Sequence, residues 1–131
     1  MKRIALLSIF ALAACAHQKP EPLPTVSSMT TVTRLEYPKS AKTVQEAAEY
    51  ILRPTGYHLV VDCPNCGPEA REIAEKPPSP LSLRPEITTI ARALILIGGS
   101  RTAIVVDADH HAITYTWAGS ADTYRWAGAA R

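Results

Sequence analysis

At 131 residues, with 14 Lys and Arg against 12 Asp and Glu, the chain carries a formal charge of +2 and only 20% charged residues. Its cations are scattered and form no stripe, which argues against a nucleic-acid partner. The 11 prolines are many for this length and cluster where a packed domain would not tolerate them. The remainder suits one small domain with a tether.

The chain opens on Met1-Lys2-Arg3, followed by the apolar run Ile4 to Ala14 and then Cys15. Two cations before a short apolar stretch and small residues form the layout of a secretory signal. The run is too short for a permanent span, which needs about 20 apolar residues. Leu12-Ala13-Ala14-Cys15 resembles a bacterial lipobox. That resemblance implies a signal peptide over 1–14, cleavage before Cys15 and acylation of Cys15. Two or three acyl chains anchor firmly, because each buried methylene contributes about 0.8 kcal/mol. Ala16 follows the cysteine where an Asp would imply retention at the inner membrane. By likeness to Gram-negative lipoproteins, this implies sorting to the periplasmic face of the outer membrane.

Residues 15–29 read as the anchor and an extended linker, with Pro20, Pro22 and Pro24 at alternate positions. Residues 30–117 read as the domain. Thr30 to Tyr37 is rich in β-branched residues and suggests a first strand that Pro38 ends. Thr43-Val44-Gln45-Glu46 has the form of a capping box. Val44, Ala47, Ala48, Ile51 and Leu52 then follow at helical spacing until Pro54 and Gly56 stop the helix. Tyr57 to Asp62 reads as a strand. Glu69 to Lys76 could form two helical turns with Ala70, Ile73 and Ala74 facing inward. Leu81-Ser82-Leu83 reads as a short strand. Pro85 suits the first turn of a second main helix, with Ile87, Ile90, Ala91, Leu94 and Ile97 as its stripe and Gly98-Gly99 as its stop. Thr102–Val106 and Ala112–Trp117 form a hairpin around the turn-forming Asp107-Ala108-Asp109-His110-His111. Residues 118–131 read as a loosely held tail, although Tyr124 and Trp126 are unusual in one. The result is an α+β domain of βαββαββ type, with two helices packed on short mixed sheets.

That order and the local sequence resemble the PilL-type N-terminal domain. The likeness rests on Thr43 to Leu52 with Gly56 to Val60, on Lys76 to Ile97, and on the closing hairpin from Ala103 to Tyr115. The family occurs in lipoproteins of type IVb pilus operons on conjugative elements. It is similar in plan to the first periplasmic domain of secretins, to the signalling domain of TonB-dependent receptors and to the DotD lipoprotein. The resemblance implies an adaptor in pilus or conjugative-machine assembly that docks a secretin or its peptidoglycan-linked partners. Two features depart from the family pattern: Pro54 interrupts the approach to Gly56-Tyr57, and Cys63-Pro64-Asn65-Cys66 has no counterpart in it.

Once Cys15 is acylated, Cys63 and Cys66 remain as a CxxC in an oxidising compartment, where the ordinary expectation is a disulfide that pins the turn. A thiol–disulfide redox role is the enzymatic alternative, since strand, CxxC and helix form a thioredoxin-like layout. Against it, too little chain follows. Zinc would need His58, His110 or His111 to join the two thiols. His110-His111 with Asp107 and Asp109 otherwise read as ordinary polar residues of a hairpin tip. The sequence contains no phosphate loop, nucleophile elbow or HExxH, so no catalytic residue, metal, cofactor or small-molecule substrate is expected. A surface lipoprotein without a machine is a third reading. The expected mode of action is pairing through an exposed strand edge, on Ala112–Trp117 or its hairpin partner.

Overall fold

The computed structural model describes residues 27–64 and 66–119. The segment expected to be a signal peptide, Cys15, most of the expected linker and the expected tail with Tyr124 and Trp126 lie outside them.

After a single 3-10 turn at Ser28–Thr30, the chain forms β1 (Val32–Arg34), α1 (Val44–Leu52), β2 (His58–Leu59) and α2 (Pro68–Ala74). It continues through β3 (Ile87–Thr89), α3 (Ile90–Gly98), β4 (Thr102–Asp107) and β5 (Ala112–Trp117). This is a small α+β domain with two sheets: β1 pairs antiparallel with β3, and the other sheet has the order β2-β5-β4. α1 and α3 pack on each other, and α3 contacts both sheets. Their stripes meet around Leu35, Leu52, Leu94, Ile97, Ile113 and Tyr115, all essentially inaccessible to solvent.

α1 forms where its spacing predicts, and Val44, Ala47, Ala48, Ile51 and Leu52 are all buried. The Thr43 hydroxyl accepts from the Glu46 N–H at 3.2 Å, as a capping box requires. The return bond is displaced by one residue, because Glu46 accepts from the Lys42 N–H rather than from that of Thr43. Pro54 does not break the chain direction at once. Arg53–Thr55 adds a 3-10 turn, and Gly56 takes φ +77°, a left-handed conformation that costs glycine little.

Four expectations are corrected. The strand expected over Tyr57–Asp62 is reduced to His58–Leu59, prolonged only by the Val60 N–H to the Ile113 carbonyl at 2.7 Å. The two helical turns expected over Glu69–Lys76 do form, with Ala70, Ile73 and Ala74 buried as expected. They are the helix α2, begun by Pro68, so the domain has three helices where two were expected. Leu81-Ser82-Leu83 is not a strand. Pro80–Leu83 is a 3-10 turn capped by the Ser79 hydroxyl, in which Ser82 points inward and both leucines point out. Local side-chain bonding wins there: the Ser82 hydroxyl donates to the Ser79 carbonyl at 2.7 Å and meets the Tyr37 hydroxyl at 2.7 Å. Finally, Pro85 does not begin the second main helix. The β-branched run Ile87-Thr88-Thr89 pairs with β1, and α3 starts only after Thr89, whose hydroxyl accepts from the Arg92 N–H at 3.3 Å. Ile87 is consequently 80% exposed instead of lying in the core.

Candidate docking edge

β4 and β5 are paired along their whole length, from Thr102 opposite Trp117 to Asp107 opposite Ala112. Which residues turn their backbone groups outward follows from the flanking bonds. The Thr102 N–H donates to the Gly99 carbonyl at 3.0 Å, so Thr102 faces away from β5. Backbone direction alternates along a strand, so Ile104 and Val106 face away as well. On β5, the carbonyls of His111 and Ile113 accept from His58 and Val60 on the β2 side. Thr114 and Thr116 therefore turn toward β4 and lie inside the hairpin ladder.

This geometry decides between the two strands proposed as the edge. β5 is the central strand of its sheet and is not available. Where the two-residue β2 ends, α2 takes over its flank. Thr114 Oγ1 lies 3.9 Å from Cys66 Sγ, Thr116 Oγ1 donates to Glu69 Oε1 at 3.3 Å, and Lys76 Nζ sits 4.6 Å from the Trp117 ring centre. Those contacts touch both faces of β5 and place α2 along its margin. β4 has no such cover among the described residues. The N–H and C=O groups of Ile104 and Val106 are left without a strand beside them.

The composition of β4 leaves the edge unprotected. Natural edges are blunted by Lys, Pro, bulges or brevity, and Thr102-Ala103-Ile104-Val105-Val106-Asp107 has none of these over six paired residues. Its single charge is turned into the hairpin. Asp107 Oδ1 accepts from the N–H groups of Asp109 and His110 at 3.1 and 3.2 Å, and Oδ2 lies 2.7 Å from His110 Nδ1. Loss of solvent around the carboxyl works to raise its pKa. The His110 ring, its backbone N–H and that of Asp109 outweigh this and hold Asp107 below the ordinary carboxylate range. His111 closes the turn at φ +51°.

Cys63 and Cys66 form a disulfide, with Cα atoms 4.9 Å apart, in the turn between β2 and α2. The Cys66 N–H donates to the Cys63 carbonyl at 3.0 Å, and an Asp62–Arg71 ion pair ties the same turn to α2. The bridge thus braces the element that covers β5. The histidines lie elsewhere: His58 pairs beside Ala112, the His111 ring packs 5.1 Å from the Tyr57 ring, and His110 bonds Asp107. Among the described residues no group of three or more His, Cys, Asp or Glu could hold a metal ion. No helix among them is long and apolar enough to cross a membrane.

The outward role of Ile104 and Val106 is absent from the sequence reading. Its signal was the β-branched apolar run of Thr102–Asp107, which has no Lys or Pro to blunt it, and only the pairing of the short β2 identifies which hairpin strand is outermost. Comparison with known proteins gave no match to any family model, curated protein or solved structure.

Proposed function

We propose that this protein is a lipoprotein anchored through Cys15 at the periplasmic face of the outer membrane, where it serves as an adaptor in a type IVb pilus or conjugative secretion machine. Its partner in this reading is a secretin or another machine component. The observation that carries the binding role is the open, regular edge of β4. An extended segment laid beside it gains backbone hydrogen bonds from Ile104 and Val106, each contributing a net 0.5–1.5 kcal/mol as an order of magnitude. The lipobox-like Leu12-Ala13-Ala14-Cys15 supports the anchor, and the local resemblance to PilL-type domains supports the choice of machine. The βαβ(α)βαββ order with two small sheets agrees with the plan that resemblance implies.

The test is proline substitution at the outward positions. Ile104→Pro and Val106→Pro remove an outward donor while keeping the ladder to β5, so these variants should fold and lose the partner complex on co-purification. Thr114→Pro, which breaks the hairpin, is the control that should fail to fold. Folded Ile104→Pro and Val106→Pro proteins that still recover the complex at wild-type yield would refute edge docking.

A further inference from the structure

The two-stranded sheet presents an apolar surface that edge docking does not use. On β1, Thr33 and the following Leu35 turn inward, and Leu35 is buried, so Val32 and Arg34 turn outward. In the β1–β3 register, Arg34 stands opposite Ile87 and Val32 opposite Thr89, which makes Val32 and Ile87 diagonal neighbours on the outer face. They are 65% and 80% exposed, and Leu81 and Leu83, on the turn leading through Pro85 into β3, are 51% and 69% exposed. These four account for all but one of the large apolar side chains exposed among the described residues, the other being Tyr50. Val32 and Ile87 adjoin on that face, and Leu81 and Leu83 lie on the chain segment that leads into it. Exposed apolar side chains gathered on one such stretch mark a contact surface. Arg34 shares that face opposite Ile87 and is ion-paired with Glu36 at 3.2 Å. With Arg84 and Glu86 nearby in the chain, the charges are of both signs, so apolar burial and not net charge would set the contact.

We infer that this face is a footing on the lipid surface. The inference rests on the proposed anchor at Cys15. The described chain begins at Ser27, only a few residues before Val32, so the anchored segment feeds directly into the strand that carries the patch. Residues 16–26 can span at most on the order of 35 Å when extended, at about 3.1 Å per residue. A few aliphatic side chains would hold a free domain on a bilayer weakly. A short tether raises the effective concentration at the surface to the order of millimolar, and weak insertion then suffices. The patch lies on a different sheet from β4, so the footing and the docking edge can be engaged together. Lying on the bilayer also fixes which way β4 is presented to a partner.

The experiment uses the full-length protein reconstituted into vesicles of phosphatidylethanolamine and phosphatidylglycerol with brominated acyl chains. Reporters Ile87→Trp and Glu49→Trp, the latter on the exposed side of α1, are each read as a difference from the parent protein. The footing requires a blue shift and bromine quenching for Ile87→Trp, neither for Glu49→Trp, and loss of the Ile87→Trp signal when Val32→Asp and Leu83→Asp are added. Protein that floats with the vesicles while Ile87→Trp emits as in water overturns the footing and leaves the anchor standing. A blue shift without quenching assigns the face to a second copy and equally overturns it. Protein that does not float at all fails the anchor itself, and the footing falls with it.

Discussion

Tyr115→Phe isolates one buried hydrogen bond and one titration. The Tyr115 ring is 1% exposed, and its hydroxyl donates to the Leu94 carbonyl of α3 at 2.9 Å, joining β5 to the helix layer. Removing the hydroxyl leaves the ring packing intact, so below pH 9 the loss should be the net value of one bond, about 1 kcal/mol. For a domain of this size that lowers Tm by roughly 4–8 °C. Burial also drives the Tyr115 phenol well above its ordinary pKa, so the folded state keeps it protonated. A group whose folded pKa is raised contributes stability that is intact below its unfolded pKa, near about 10, and is lost as pH rises toward the folded value. Each pH unit above about 10 then costs the wild type about 1.4 kcal/mol that the phenylalanine variant does not lose. The two stabilities should cross near about pH 11. Denaturant unfolding of both proteins from pH 8 to 11.5 measures this directly. A gap that stays constant over that range would refute the burial-raised titration of the phenol, and no gap below pH 9 would refute the bond assigned to it.

Three further outcomes follow from named contacts. A methyl group at Gly98 would meet Thr102 Oγ1 at 2.7 Å and Tyr115 Cε1 at 3.0 Å, so Gly98→Ala should destabilise by about 1–3 kcal/mol despite alanine's better helix propensity, and an unchanged urea midpoint would contradict that packing. Cys63→Ala/Cys66→Ala opens a very small ring, so thermal unfolding should show a loss of about 1–2 kcal/mol, below the typical range; an adaptor keeps binding its complex, whereas loss of a thiol-oxidation activity would favour the redox reading. Mass spectrometry of the mature N-terminus should find an acylated Cys15, and Cys15→Ser should leave the protein uncleaved or soluble; an unmodified mature end at another residue would end the lipoprotein proposal.

How far the fold was legible follows the range of the forces involved. α1 and the hairpin could be read because their signals are local: the Thr43 cap, a stripe at helical period, and two β-branched runs around an Asp107 turn. Ile87-Thr88-Thr89 was misread because its apolar residue falls in phase with the stripe of α3, and only pairing with β1, distant in sequence, fixes it as a strand. Leu81-Ser82-Leu83 reads as a short strand because its leucines alternate, whereas the Ser79 and Ser82 hydroxyls close a turn that points both leucines outward. The docking edge fell between these cases. Its composition was visible in Thr102–Asp107, but its position depended on β2, whose two paired residues leave almost no periodic signal.

The central claim, that β4 binds by adding a strand, makes an atom-level prediction for hydrogen exchange. In the isolated protein, the amides of Ala103, Val105 and Asp107 should be protected by the ladder to β5, and those of Ile104 and Val106 should exchange much faster. On adding the partner complex, the Ile104 and Val106 amides should slow by an order of magnitude or more, while the exposed side of α1 stays unchanged. Ile104 and Val106 amides that keep exchanging at the free rate in a complex that has demonstrably formed would contradict the account.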